Sequence, residues 1–293
     1  MRPMIKPMFV LLLVAAAAAA AIALLVLLTS IRQHKGTSPQ RVRHLVDIPA
    51  AAWARLAGKT IFFGHHSVGS DIVQGLQDLR ASQVSLKLNI VKTKELNKIE
   101  GPMLAHASVG ENLHPESKIA EFKALLEGGL GERVDIAFFK FCFVDVTTTS
   151  DPNALLSAYC KAMDSLKSRF PDVVFVYVTV PLCGPPGKLK GMLKAGIKRL
   201  IGRPHALDEN QVRARFNSLL RERFSGKEPL FDLALYETLG PDGLRRYSLR
   251  NGQEVPILAR SYTDDGGHLN ARGRRHVAEQ LLIELLDLTD NSQ

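Results

Sequence analysis

The chain reads Ile61-Phe62-Phe63-Gly64-His65-His66-Ser67-Val68-Gly69 at the junction that decides its fold. The apolar run 61–63 predicts a first buried strand, and apolar residues at helical spacing in 69–79 predict a helix directly after it. Ser67 therefore follows the carboxyl end of a strand, where ligands bind in open α/β sheets. A serine at such a junction is also a common helix N-cap, so the position alone does not establish a catalytic role.

A second informative stretch lies near the other end of the chain, at Asp265-Gly266-Gly267-His268-Leu269-Asn270. A serine hydroxyl is a poor nucleophile until a base takes its proton. We expect His268 to be that base and Asp265 to hold the imidazole in the right tautomer, with Asp264 as the alternative acid. Asn270 is expected to cap the helix that follows.

Strands alternate with helices along most of the chain. Strands are predicted at 61–64, 84–91, 134–144, 173–182 and 230–235, and helices at 48–56, 69–79, 119–126, 153–170, 212–224 and through 277–285. This alternation predicts right-handed βαβ units, in which a mainly parallel sheet is covered by helices on both faces. The expected fold is a three-layer α/β/α sandwich with a five-stranded, flavodoxin-like sheet.

The C-terminal block resembles the last signature of the SGNH/GDSL hydrolase superfamily, because Asp-x-x-His is followed by Asn270 and Gly273 at the same offsets. The first block of that family is Gly-Asp-Ser. Here Gly64-His65-His66-Ser67 stands in its place, with histidine for aspartate and one extra residue. The resemblance covers about 59–286 in element order. It implies an SGNH-type fold and a Ser67-His268-Asp265 triad that acts on esters.

The resemblance also implies where the oxyanion donors lie. The family takes them from the backbone at the nucleophile, here including Val68, from a glycine after the second strand, and from an asparagine after the third. Gly110 would supply the second donor, with Asn112 as a further one. Cys142 falls at the expected asparagine, and a thiol is a weak donor. Either Asn112 or Lys140 then compensates, or the enzyme is slow, or the assignment is wrong. For Cys142 itself the alternative is a packed core residue.

The adjacent histidines His65 and His66 allow two interpretations. One of them could stand where the family's aspartate stands and contact the catalytic loop. Either could instead join His268 and Asp265 around zinc, since imidazole and carboxylate suit that ion. No helical H-x-x-x-H spacing supports a metal, so we expect neither a metal nor a cofactor.

The N-terminus carries 21 consecutive apolar residues at 8–28, preceded by Arg2 and Lys6. This length predicts an uncleaved signal anchor that spans the membrane, with a cleaved signal peptide as the alternative. The predicted organisation is an anchor at 1–31, a linker and short helix at 32–58, and a hydrolase-like domain at 59–288. A single N-terminal anchor would place that domain on the periplasmic or extracytoplasmic side.

The net charge of +9 is concentrated, because six of the nine surplus charges lie in 187–203, which contains no acid. A prediction of nucleic-acid binding would depend on this one segment, so we expect no nucleic-acid partner. Its apolar residues recur at helical spacing among the lysines. The segment could lie on an anionic membrane, act as a lid over an anionic glycan, or be an ordinary solvated helix.

Together these features predict a membrane-anchored serine esterase or acyltransferase that acts on ester-linked acyl groups. The simplest substrate is an acetyl ester of an envelope polysaccharide. The alternative is a catalytically degenerate fold that binds a glycan or lipid in an envelope assembly. It is favoured by the missing Gly-Asp-Ser aspartate and by Cys142. A metal-dependent hydrolase is a third hypothesis.

Overall fold

The computed structural model describes residues 11–12, 14–18, 21, 32–40, 42–82, 86–185 and 206–290. Most of the predicted anchor and all of the basic segment 187–203 lie outside these residues, so both stay predictions. No helix within the described ranges is both long enough and apolar enough to cross a bilayer.

The main sheet has six strands in the order β3-β4-β2-β5-β6-β7, all paired in parallel. The prediction of an α/β fold with a parallel sheet is confirmed, but the predicted count of five strands is wrong. The strands are β2 (Thr60–His65), β3 (Ile90–Lys92), β4 (Met103–Ser108), β5 (Ile136–Phe139), β6 (Val174–Val178) and β7 (Leu230–Phe231).

Helices cover both faces of this sheet and bury a separate apolar cluster on each. They are α1 (Ala50–Ala57), α2 (Val68–Ser82), α3 (Pro115–Glu127), α4 (Pro152–Arg169), α5 (Ala206–Phe224), α6 (Leu233–Thr238) and α7 (Ala271–Asp290). One cluster joins the sheet to α1, α2, α6 and α7, and the other joins it to α3, α4 and α5. Ser67 and His268 precede two helices of the same layer, α2 and α7.

The strand missing from the prediction is β4, Met103-Leu104-Ala105-His106-Ala107-Ser108. Alanine is depleted in strands, and histidine and serine are not among the residues enriched there, so the local pattern is weak. Pairing nevertheless decides the outcome, because β4 lies between β3 and β2 in the interior of the sheet.

Four predicted strands are shorter than expected. Segment 173–182 is strand only over Val174–Val178. Segment 134–144 leaves the sheet after Phe139. Phe141 and Cys142 are buried beyond the strand, and half-buried Phe143 and Val144 begin a short 3₁₀ helix, Phe143–Asp145. Segment 230–235 ends as a strand at Phe231, because Asp232 caps α6 by accepting the Leu235 N–H at 3.2 Å. Segment 84–91 is strand only from Ile90, while 83–85 lie outside the described residues. Apolar runs in the sequence therefore predicted which residues are buried better than they predicted the lengths of the strands.

A small antiparallel sheet, not predicted, adds β1 (His34–Lys35), β8 (Arg246–Arg250) and β9 (Gln253–Pro256) in the order β1-β8-β9. Residues 32–58, predicted as a linker and short helix, thus contribute β1 to this sheet. They also contribute α1, which packs against α7 in the same apolar cluster. This part of the chain is tied to the C-terminal elements that carry His268.

Candidate active site

Ser67 occupies the tight turn between β2 and α2. Its φ of +51° lies in the left-handed region, which non-glycine residues adopt at a cost. The turn is closed so tightly that a Cβ at Gly69 would stand 2.3 Å from the Cβ of His65, so only glycine fits there. The surrounding packing holds the serine in this strained turn at the carboxyl edge of the sheet, and a strained strand-to-helix turn also carries the nucleophile in α/β-hydrolases.

Asp265 and His268 share the loop before α7. Asp265 Oδ2 lies 2.7 Å from His268 Nδ1, while Asp265 Oδ1 accepts the N–H groups of Gly267 at 2.9 Å and His268 at 2.8 Å. Burial by itself would raise the pKa of Asp265, but these hydrogen bonds outweigh it and lower that pKa to about 2. The carboxylate is therefore ionised at neutral pH, and it favours a proton on Nδ1. Nε2 is then free to act as an acceptor.

The structure brings the hydroxyl and the imidazole together across 201 positions of chain, with Ser67 Oγ 2.8 Å from His268 Nε2. The two segments are also joined directly, since Asp71, one turn into α2, accepts the Leu269 N–H at 3.0 Å. The His268 and Asp265 side chains are each 50% exposed, so the site is open to solvent. Serine, histidine and aspartate thus form one chain of hydrogen bonds at the surface.

The cap of α7 fixes where this loop ends. Asn270 Oδ1 accepts the N–H groups of Arg272 at 3.1 Å and Gly273 at 3.0 Å, as predicted for an N-cap. Because the cap lies two residues after His268, the first turn of α7 and the loop that carries Asp265 and His268 are positioned together.

Two predicted oxyanion donors are already engaged inside the protein. The Gly110 N–H donates to Glu121 Oε2 at 2.6 Å, and the Cys142 N–H donates to Asp145 Oδ2 at 2.6 Å. Cys142 is fully buried, and its thiol lies 3.5 Å from the carbonyl oxygen of His66. The prediction that Gly110 offers a free donor is therefore not met, because a carboxylate from α3 occupies it.

Asn112 remains a donor, and its orientation follows from its partner. Asn112 Oδ1 accepts a hydrogen bond from Lys118 Nζ at 2.9 Å. An ammonium can only donate, so the carbonyl side of the amide must face Lys118 and the NH₂ side must point away. Asn112 is exposed, and it follows Gly110, whose carbonyl oxygen lies 2.7 Å from His66 Nε2. A second available donor is the Val68 N–H, which as the first in α2 has no partner within the helix.

The pair that holds Asn112 was not found from the sequence. Lys118 and Asp145 are both buried and hydrogen-bonded to each other, and Asp145 Oδ1 also accepts the Leu113 N–H at 2.9 Å. One signal was present, because Lys118 lies four residues before Phe122 on the buried side of α3. A lysine there requires a buried acceptor.

Each of the paired histidines has a hydrogen-bond partner other than His268. His65 Nε2 lies 3.0 Å from His106 Nδ1, and burial, helped by the charge of Lys140, lowers the pKa of His65 to about 2. His66 Nε2 lies 2.7 Å from the carbonyl oxygen of Gly110. The described residues contain no group of three His, Cys, Asp or Glu side chains that could hold a metal. Neither histidine joins His268 and Asp265.

Lys140 was the other candidate to replace the missing asparagine. It is 1% exposed, and its Nζ donates to the Phe141 carbonyl at 3.2 Å and approaches Cys142 Sγ at 3.5 Å. Its ammonium is directed to its own loop. Of the two candidates, Asn112 is the one at the surface.

No protein-family model matches the chain, and no curated protein matches its sequence. Its structural neighbours are lipases of the SGNH/GDSL type, carbohydrate esterases and acetyltransferases. A family 3 carbohydrate esterase of Clostridium thermocellum is 12% identical, with 79% of this chain and 97% of that chain covered and a TM-score of 0.41. The periplasmic domain of a lipopolysaccharide acetyltransferase of Salmonella ser. Paratyphi A is 13% identical, with 80% and 88% covered and a TM-score of 0.42. At such identities and TM-scores the likeness carries no argument, so the function rests on this chain's own residues.

Proposed function

We propose that the protein is a serine esterase or acyl-transfer enzyme that acts on ester-linked acyl groups, most simply acetyl. The observation that carries the proposal is the pair of hydrogen bonds from Ser67 Oγ to His268 Nε2 at 2.8 Å and from His268 Nδ1 to Asp265 Oδ2 at 2.7 Å. A nucleophile, a base and an orienting carboxylate within hydrogen-bond reach are the arrangement that acyl transfer requires.

In the proposed reaction Ser67 Oγ attacks the acyl carbon while His268 Nε2 takes the hydroxyl proton. The tetrahedral intermediate collapses to an acyl-serine, and His268 returns the proton to the leaving alcohol. Water, or a sugar hydroxyl in the transferase case, then attacks the acyl-serine with His268 again as base. Ser67 regains its proton when the second product leaves. Asp265 stays ionised throughout and stabilises the imidazolium.

The charge that develops on the acyl oxygen needs donors near Ser67. We assign this role to the Val68 N–H at the start of α2 and to the amide NH₂ of Asn112. The first is supported by its place at a helix N-terminus, which favours negative charge. The second is supported by the Lys118 contact that turns the NH₂ outward. Asn112 would replace the asparagine expected at Cys142.

We also propose a location outside the cytoplasm and a substrate that fits this location. The apolar segment 8–28 would anchor the chain in a membrane and place the domain outside the cytoplasm. An envelope polysaccharide that bears acetyl esters is the simplest substrate at such a location.

The nucleophile is tested with the full-length chain in detergent and 4-nitrophenyl acetate as substrate. Ser67→Ala should lower kcat/KM by roughly 10⁴–10⁶-fold, as loss of a triad serine does elsewhere. Ser70→Ala, an exposed serine one turn further along α2, is the matched control and should keep full activity. Unchanged activity in Ser67→Ala would show that Ser67 is not the nucleophile.

A second candidate is a glycan- or lipid-binding module without catalytic activity. Two hydrogen bonds favour it. The Gly110 and Cys142 N–H groups both donate to carboxylates, so neither is free to stabilise an oxyanion. A serine-reactive fluorophosphonate separates the two functions. Labelling of wild type but not of Ser67→Ala supports the enzyme, whereas no labelling of folded wild type supports the module.

A further inference from the structure

A groove of about 480 Å³ lies between the N-terminal ends of α3 and α4. Its walls are the loop before α3, with Leu113 and Pro115, and the loop from Val144 to the first turns of α4. No residue of the triad lines it.

Both walls of the groove are tied to the residue before the nucleophile. The Gly110 carbonyl lies 2.7 Å from His66 Nε2, and Leu113 follows three residues later. The Cys142 thiol lies 3.5 Å from the His66 carbonyl, and Val144 follows two residues later. Phe143, which lies between Cys142 and Val144 in the chain, packs edge-on against the His268 ring, with ring centroids 5.8 Å apart. The loops that form the walls of the groove are therefore also the loops that contact His66, the neighbour of Ser67 in the chain.

Leu113 gives the groove an apolar wall that is held in place. Its side chain is 66% exposed, and its φ of +73° lies in the left-handed region. Such a backbone conformation is costly for leucine, and here its N–H is fixed at 2.9 Å by buried Asp145, which Lys118 neutralises. A buried ion pair thus holds a strained, exposed apolar residue beside the groove.

The opposite wall is mixed, with Val144, Ala154, Leu155 and Ala158 as its apolar residues. It carries the hydroxyls of Thr147, Thr149 and Ser150 and the carboxylate of Asp151, while Glu116 adds a carboxylate on the α3 side. No lysine or arginine is among the described residues that line the groove. An anion would meet no lysine or arginine among these described residues, and an acyl chain would meet hydroxyls and carboxylates beside the apolar side chains.

A neutral sugar fits both walls. Pyranose C–H faces pack on apolar side chains, and sugar hydroxyls donate to carboxylates and exchange hydrogen bonds with threonine and serine. We propose that this groove binds the sugar portion of the ester on which Ser67 acts. The inference rests on the proposed function, because it names the alcohol that the acyl group leaves or joins.

The groove can be filled without disturbing the core, since Ala154 lines it and is exposed on α4. Ala154→Trp should block sugar binding. Ser157→Trp places the same side chain at another exposed position of α4 that does not line this groove, so it is the matched control. The substrates are 4-nitrophenyl acetate, which has no sugar, and O-acetylated trisaccharides of xylose, glucose and N-acetylglucosamine.

With the full-length chain, Ala154→Trp should lower kcat/KM for at least one trisaccharide by about tenfold or more, mainly through KM, because ground-state binding is what it removes. Its rate on 4-nitrophenyl acetate should stay within about twofold of wild type, and Ser157→Trp should change neither rate. If Ala154→Trp cleaves every acetylated trisaccharide as wild type does, the groove is not the sugar site.

A binding measurement separates this inference from the proposed function. The same trisaccharides are titrated calorimetrically into Ser67→Ala with and without Ala154→Trp. Binding that Ala154→Trp abolishes supports the groove even if wild type hydrolyses nothing, in which case only the esterase proposal fails. Hydrolysis of 4-nitrophenyl acetate by wild type, without trisaccharide binding to Ser67→Ala, overturns the groove and leaves the esterase standing.

Discussion

Gly75 in α2 packs directly on the backbone of Arg274 in α7, where a Cβ at position 75 would stand 2.3 Å from the Arg274 carbonyl oxygen. No side chain separates the two helices at this point. Ser67 lies one residue before α2, and His268 lies three residues before α7. The close crossing therefore helps to set the 2.8 Å between the serine hydroxyl and the imidazole.

Gly75→Ala should force α2 and α7 apart. We expect a loss of about 1–3 kcal/mol in unfolding free energy, as for other overpacked sites, despite the higher helix propensity of alanine. It should also lower kcat more than it raises KM, because the base moves relative to the nucleophile. Urea unfolding and steady-state kinetics measure both. Gln77→Ala, on the exposed face of α2, is the control. Wild-type stability and kcat in Gly75→Ala would show that the crossing does not set the site.

Asn112→Asp tests the proposed oxyanion donor with almost no change of shape. The aspartate still offers an oxygen to Lys118 but has no N–H to donate. We expect kcat to fall by about 10²–10³-fold, as when one oxyanion donor is lost, with little change in thermal stability. Asn153→Asp, at an exposed position of α4, is the matched control in the 4-nitrophenyl acetate assay. Full activity in Asn112→Asp would exclude the amide as a donor.

Lys118→Met tests the buried ion pair that holds Asn112 and Leu113. It leaves the Asp145 carboxylate buried without its cation, so the unfolding free energy should fall by about 3–5 kcal/mol. Lys123→Met breaks the partly exposed pair with Glu127 on the same helix and should cost no more than about 0.5 kcal/mol. Chemical unfolding compares the two variants. Equal losses would mean that the buried pair has no special role in stability.

Glu237 predicts a pH dependence of stability. Its side chain is fully buried, and burial raises its pKa from 4.5 to about 8, although Oε2 accepts the Leu182 N–H at 2.7 Å. Between these pH values the unfolded chain releases the proton that the folded protein keeps. Stability should therefore fall as pH rises from about 4.5 to about 8.

Glu237→Gln removes the ionisation and should flatten that dependence. Urea unfolding at a series of pH values measures the slope, and exposed Glu222→Gln is the control. An unchanged slope in Glu237→Gln would mean that another group causes the dependence or that Glu237 ionises in the folded protein without cost.

The parts of the molecule that could be predicted from the sequence are local ones. The strand, serine and helix at 61–79 follow from hydrophobic periodicity, and the Asp265–His268 spacing lies within a single loop. Because parallel strands end at one edge of a sheet, the serine could also be expected near a ligand site. The strand β4 could not be predicted, since its alanines, histidine and serine become strand only through pairing on both sides.

The sequence by itself determined the alternation of strands and helices, the serine after β2 and the Asp-x-x-His loop, because each depends on neighbours within a few residues. Tertiary structure decided which of the donors near α3 are free. Glu121 of α3 binds the Gly110 N–H, and Lys118 of α3 turns the Asn112 amide outward. The Cys142 N–H is engaged locally, because Asp145, three residues later, accepts it as part of a capping box. The two contacts from α3 depend on distances in the folded protein, which no local pattern encodes.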